Sequence, residues 1–245
     1  MSPSPPSHYE LYYWPTLQGR GELVRMVLED AGAAYVDVAR LPPEQGGGFP
    51  AMKRFLEGRG PELAPFAPPF LRDNDLVIAQ TALILQYLAP RLGLVPSDEK
   101  SRLRAHQIAL TIGDLLAEVH DTHHPIGSGL YYEDQKPEAK RRSDEFVATR
   151  LPKFFNWFER ALETTGHFVG DAVSYVDIEL FQLVEGLRFA FPNAMKRVEP
   201  KCPRVVALHA LVGARPRLAA YLASPRRLPF NQQGIFRSYP ELDAR

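Results

Sequence analysis

Tyr9-Glu10-Leu11-Tyr12-Tyr13-Trp14-Pro15-Thr16-Leu17-Gln18-Gly19-Arg20-Gly21-Glu22-Leu23-Val24-Arg25-Met26-Val27-Leu28-Glu29 is the stretch on which the fold turns. Tyr9 to Trp14 is mostly aromatic or apolar, which suits a strand. Pro15 has no N–H for a sheet ladder, so pairing stops there. Leu23, Met26, Val27 and Ala31 then recur at helical spacing, and Gly32 supplies a stop. A buried strand feeding a helix start gathers backbone N–H groups, the Arg20 side chain and the Tyr13 phenol around one spot. Helix N-termini favour anions. Alternation puts Tyr12 on the sheet face opposite Tyr13.

Downstream, Tyr35-Val36-Asp37-Val38-Ala39 alternates as a strand. Residues 40–68 are rich in Pro and Gly and read as a long connection with a short helix around Met52–Leu56. Phe70-Leu71-Arg72 and Leu76-Val77-Ile78 flank Asp73-Asn74-Asp75, the turn chemistry of a hairpin. Thr81 reads as the cap of an apolar helix, Ala82 to Leu88, that Pro90 and Gly93 end. The expected organisation is a disordered tail over 1–8, a small mixed α/β domain over 9–91, and a linker over 92–98.

From residue 99 to 245 no strand is convincing. Glu99–His120 carries a helical stripe through Leu103, Ile108, Ile112, Leu115, Leu116 and Val119. A second long helix runs from Pro137 to about Thr165, kinked or split by Pro152. Ser174 and Asp177 have capping-box spacing ahead of the apolar run Ile178–Phe191. Val205–Val212 and Leu218–Leu222 give two more helices. The second half is read as all-α.

The 245 residues carry 29 basic and 29 acidic side chains, so no basic excess points to nucleic acid or an anionic membrane. No apolar run reaches the roughly 18 residues of a membrane span. Met1–Ser7 has neither the basic region nor the apolar core of a secretory signal. Cys202 is the only cysteine, which excludes an internal disulfide. The expectation is a soluble cytoplasmic protein.

Four stretches carry a resemblance. They are Tyr13-Trp14-Pro15 with Gln18-Gly19-Arg20; Pro69 ahead of the hairpin; Gln80-Thr81-Ala82 before a helix; and Phe168-Val169-Gly170-Asp171 with Ser174-Tyr175-Val176-Asp177. Ala214-Arg215-Pro216-Arg217-Leu218 and Ala223-Ser224-Pro225 extend it. In this order and spacing the chain resembles the cytosolic glutathione transferases, the tyrosine-type (pi, sigma, alpha) classes above all.

The resemblance implies a thioredoxin-like first domain with a four-stranded mixed sheet that binds glutathione as co-substrate. It also implies an all-α second domain, a homodimer, and no metal. Tyr13 matches the catalytic tyrosine that donates to the thiolate, and Arg20 an arginine at the thiolate or the glutamyl end. Gln80 and Thr81 match residues gripping the glutamyl carboxylate and amine. Pro69 matches a cis-proline. Pro68 takes the place of the residue that pairs with the cysteinyl backbone, where proline leaves only its carbonyl. Lys53 is a candidate for the glycyl carboxylate and reads equally as a solvated lysine. Trp14, Leu116, His120 and Tyr131 are candidates for the electrophile pocket. His120 and His124 stand one helical turn apart, but histidines near a helix C-terminus also suit its dipole, and no metal is expected.

The expected activity is conjugation of the glutathione thiolate to an electrophilic small molecule, a detoxification chemistry. Two alternatives stay open: a glutathione-dependent isomerase or peroxidase, and a non-catalytic glutathione- or ligand-binding protein.

Overall fold

The computed structural model describes residues 9–60, 63–162 and 165–244. The tail expected over 1–8 lies outside the described residues. The chain divides into two compact units. One runs through Leu94 and also takes in Pro216–Pro229; the other holds Val95–Arg215 and the stretch from Phe230 on. The sequence reading places 216–229 with the rest of 99–245, whereas these residues pack with the first unit.

In that unit, strand β1 (Tyr9–Tyr12) is followed by helix α1 (Gly19–Ala31), β2 (Tyr35–Asp37), α2 (Gly48–Leu56), the hairpin β3 (Phe70–Asp73) and β4 (Leu76–Ala79), and α3 (Thr81–Arg91). The sheet order is β2-β1-β3-β4, with β1 parallel to β2 and antiparallel to β3. This is the four-stranded mixed sheet of the expected thioredoxin-like arrangement. Gly32 ends α1 in the left-handed region at φ 68°, and its N–H bonds back to Glu29 O at 3.0 Å.

On one sheet face, Tyr12, Val38, Met52 and Phe70 form a core under α2, with the Tyr12 and Phe70 rings stacked at 4.5 Å. On α1 and α3, Val24, Val27, Leu28, Ile84, Leu85 and Leu88 are buried. β2 stops at Asp37, shorter than the alternation suggests, because Val38–Arg40 turns into a 3₁₀ segment. Helix α3 continues through Pro90 to Arg91 rather than ending there. A proline in the last turn removes one N–H without breaking the turns before it.

The second unit is helical: α4 (Glu99–Asp121), α5 (Lys136–Glu145), α6 (Leu151–Ala161), α7 (Tyr175–Ala190), α8 (Pro192–Val198) and α9 (Pro203–Gly213). The last helix, α10 (Pro216–Leu222), belongs to the first unit. The long helix expected over 137–165 is split: Phe146–Arg150 winds as a π-helix, and α6 begins with Pro152 in its first turn. Pro152 supplies no N–H and crowds the carbonyl four residues back, which the wider winding relieves.

The capping box at the start of α7 is present. The Asp177 carboxylate accepts from Ser174 N at 2.7 Å and from Phe168 N at 3.1 Å. Among the described residues, no helix is long and apolar enough to cross a membrane.

Tyr12, Tyr175 and Tyr221 are buried, and desolvation raises each phenol's pKa, helped by Glu10, Glu179 and Glu22 respectively. The unfolded chain ionises these groups near pH ~10, while the folded chain keeps its protons. Above that pH the folded state binds more protons, so stability falls as pH rises. The thermal midpoint should therefore drop steeply once pH passes about 10. A midpoint that holds level well into that range would contradict the burial of these hydroxyls.

Candidate functional site

Sheet register gathers the sequence-predicted residues of the first unit. Tyr12 pairs with Phe70, and Phe70 pairs with Ala79. The chain leaving β1 (Tyr13), the chain entering β3 (Pro68, Pro69) and the chain leaving β4 (Gln80, Thr81) therefore all emerge at one end of the sheet.

Tyr13 follows β1 and is 5% exposed. Its hydroxyl accepts the backbone N–H of Arg20 at 3.1 Å, so the phenolic proton stays available to a further acceptor. The ring rests on the start of α1, where a Cβ at Gly19 or Gly21 would run into it. Glycine at both positions is thus a packing requirement of the tyrosine. Burial raises the phenol's pKa, while the Arg20 N–H, the charges of Arg20 and Arg25 and the Gly21 N–H work the other way. The group is a neutral donor at physiological pH.

Arg20 sits half-buried in the first turn of α1, and among the described residues its guanidinium has no partner. The Pro68–Pro69 bond is cis. Pro69 is buried and Pro68 half-buried.

The helix at Gln80 differs from expectation. Gln80, at φ 70°, is the cap position, and Thr81 is already inside α3. The Thr81 hydroxyl is consequently not used as a cap. It is buried and has no hydrogen-bond partner. A buried hydroxyl beside the open N–H groups of a helix start is a carboxylate-binding arrangement.

Lys53 is on α2, exposed, and 3.4 Å from Glu57. Its neighbour one helical turn back is Phe49, whose ring stacks on Trp14 at 5.8 Å. Lys53 thus shares a helix face with the aromatic pair next to Tyr13. Phe49 went unnoticed in the sequence because it lies in the Gly-Pro-rich connection without apolar periodicity.

A buried ionic network behind Tyr13 was also missed. Arg25 is fully buried and donates to Asp37 Oδ2 at 2.6 Å, Glu22 Oε2 at 3.2 Å and Leu17 O at 3.2 Å. Glu22 Oε1 accepts from Tyr221 at 2.7 Å and Arg227 at 2.6 Å. The Gln18 amide donates to Leu228 O. The turn over 14–18 is therefore held from behind by α1 and by 216–229. Glu22 and Arg25, three apart inside an apolar helix, were the available sequence signal.

In the second unit, Leu116 is buried on α4, the His120 side chain is 29% exposed, and Tyr131 is exposed. The rings of His120, His123 and His124 approach within 4.8–5.1 Å of one another. Burial lowers His123 to about 3, and its Nε2 lies 2.8 Å from Ile235 O. Among the described residues no group of His, Cys, Asp or Glu is arranged to hold a metal ion. Cys202 is buried, and that burial raises its thiol to about 11.

The family model for the glutathione S-transferase C-terminal domain matches residues 120–225. A glutathione S-transferase of Plasmodium yoelii yoelii is 24% identical over 210 residues, 84% of this chain and 90% of the relative. A glutathione S-transferase P of Bos taurus is 26% identical over 233 residues, 92% of this chain and 98% of the relative. The solved pi-class glutathione S-transferase of Onchocerca volvulus has the same fold at TM-score 0.66, with 22% identity over 87% of this chain and 91% of its own. By sequence the chain is similar to glutathione S-transferases along most of its length, and it shares their fold.

Proposed function

We propose that this protein conjugates glutathione to electrophilic small molecules, with Tyr13 donating a hydrogen bond to the glutathione thiolate. The observation that carries the reading is the Tyr13 hydroxyl, which accepts Arg20 N–H and keeps its own proton to give. A free thiol titrates near 8.5, and lowering that by about 2 units takes roughly 2.7 kcal/mol of selective thiolate stabilisation. One hydrogen bond to a charged group supplies about 1.5–3 kcal/mol, so a single phenol is of the right size. The thiol proton leaves to solvent. The sulfur lone pair then forms the S–C bond as the electrophile's leaving group departs with its bonding pair (chloride, for chlorodinitrobenzene), and the protein's share is activation and positioning.

The unpartnered Thr81 hydroxyl and the unpartnered Arg20 guanidinium suit the glutamyl end of the tripeptide. Gln80 completes that grip, the Pro68 carbonyl pairs with the cysteinyl backbone, and Lys53 reaches the glycyl carboxylate. The protein works in the cytoplasm in detoxification, as a homodimer. The near fully exposed Leu63 and Phe66 support that pairing, since solvent-facing side chains of this size favour burial against a partner.

Retention on immobilised glutathione, elution by free glutathione and saturable turnover of chlorodinitrobenzene are the expected results. A chain that neither binds the resin nor turns over the dinitrobenzene would sink the reading, and retention without turnover would mean a carrier. Thr81→Val should raise KM for glutathione by roughly tenfold or more while leaving kcat nearly level, because it removes a hydrogen bond to a charged group made in both ground and transition states.

A further inference from the structure

The second unit holds a cleft of about 280 Å³. On one side lie the π-helix and the first turn of α6, and on the other α8 with the 3₁₀ turn that follows it, Glu199–Lys201. That size is just under the about 300–1,000 Å³ of ordinary ligand pockets, so it suits one small molecule. π-turns inside helices occur frequently at functional sites, and this one forms a wall of the cleft.

Arg197 and Lys201 stand four residues apart on the α8 side, and among the described residues neither is in an ion pair. Like charges at that spacing repel, and an anion between them removes the repulsion. The opposite wall offers acceptors. Pro152 has no N–H, so one carbonyl of the preceding turn goes without a helical donor. Val147 and Ala148, five and four residues back from Pro152, line the cleft. Asp144, paired with Lys140, is the acid of that wall. Val147, Pro152 and Val198 make the floor aliphatic, and among the described residues no aromatic ring lines it. A simple anion leaves the acceptors unused and faces Asp144. A cation meets Arg197 and Lys201, and a flat ring finds no ring to stack on.

We infer that this cleft binds a free aliphatic α-amino acid. Its carboxylate sits between Arg197 and Lys201, its ammonium on the carbonyl left open by Pro152 and beside Asp144, and its side chain along Val147, Pro152 and Val198. Hydrogen bonds with an ionised partner are roughly twice as strong as neutral ones, so both ends of the zwitterion contribute. The cleft lies within the second unit and stands or falls without the proposed glutathione chemistry.

Equilibrium dialysis of the intact protein against radiolabelled L-leucine tests the inference, and saturable binding is expected. Isocaproate, which lacks the ammonium, and isoamylamine, which lacks the carboxylate, should each compete roughly tenfold less effectively than unlabelled leucine, or worse. N-acetyl-leucine, which carries the chemistry of a peptide's carboxyl end, should also compete poorly. Arg197→Glu should weaken leucine binding by roughly tenfold or more, and Arg197→Lys should largely preserve it. Ala148→Phe, which fills the cleft, should abolish it. Pro152→Ala, which restores the missing N–H, should bring leucine down toward isocaproate. A cooperative thermal transition in each variant shows that it is folded. Absence of saturable binding, leucine affinity unchanged in both Arg197→Glu and Ala148→Phe, or competition by isocaproate or N-acetyl-leucine equal to that of leucine would each overturn the assignment.

Discussion

Tyr13→Phe should lower kcat at neutral pH by roughly 10–150-fold, the loss of one hydrogen bond worth about 1.5–3 kcal/mol to a charged partner. KM for glutathione should barely move, because the tripeptide's ends are held elsewhere and the phenol acts mainly on the sulfur's protonation. The pH dependence separates this mechanism from a structural one. Without the phenol, the bound thiol returns toward its ordinary value near 8.5, so the deficit shrinks as the buffer approaches pH ~9. The thiolate absorbance of the enzyme–glutathione complex, titrated in both proteins, measures that displacement directly. An unchanged rate, or a deficit that stays constant with pH, would remove Tyr13 from the chemistry. The fold should tolerate the change, since the ring that packs on Gly19 and Gly21 is retained.

The largest effect on stability is expected at Arg25. Its side chain is fully buried between Glu22, also fully buried, and Asp37. Removing one member of a buried pair leaves the other charge uncompensated, which costs about 3–5 kcal/mol. Against a typical total of about 5–15 kcal/mol this is a large fraction. For a chain of this length Arg25→Ala should lower the thermal midpoint by roughly 6–20 °C. Glu22 would keep Tyr221 and Arg227, whereas Asp37 would lose its 2.6 Å donor. Activity should fall at temperatures where the variant is still folded, because Leu17 O loses the donor that anchors the turn between Tyr13 and Arg20. Calorimetry and assay on the same preparation give both readings. A midpoint within a degree or two of the parent would show that the network contributes little.

What the sequence revealed depended on how local each determinant was. β1 and α1 were legible because aromatic alternation, Pro15, a 3.6-residue stripe and Gly32 all lie within one short stretch. The capping box of α7 was legible because Ser174 and Asp177 satisfy each other three residues apart. α8 was not, since Pro192–Val198 spans only two turns, too short for a helical stripe to show. Thr81 was read as a cap because its type fits, yet the positive φ of Gln80 moves the cap one residue back. At the site, Tyr13 and Arg20 could be named but not their contact, since the bond runs from a backbone N–H. Least legible was the support behind them: Tyr221 and Arg227 lie 199 and 205 residues from Glu22, and no periodicity carries information across that span.

The inclusion of 216–229 in the first unit has a consequence for how the protein comes into being. Neither unit is one uninterrupted length of chain. While the ribosome is still adding the helices of the second unit, the amino-terminal sheet has already emerged, with Glu22 facing places that Tyr221 and Arg227 have yet to fill. Its final consolidation must await residues 216–229, and a fragment cut after Leu94 would carry that carboxylate into its interior two donors short. Such a fragment should be markedly less protease-resistant than the same region in the complete chain.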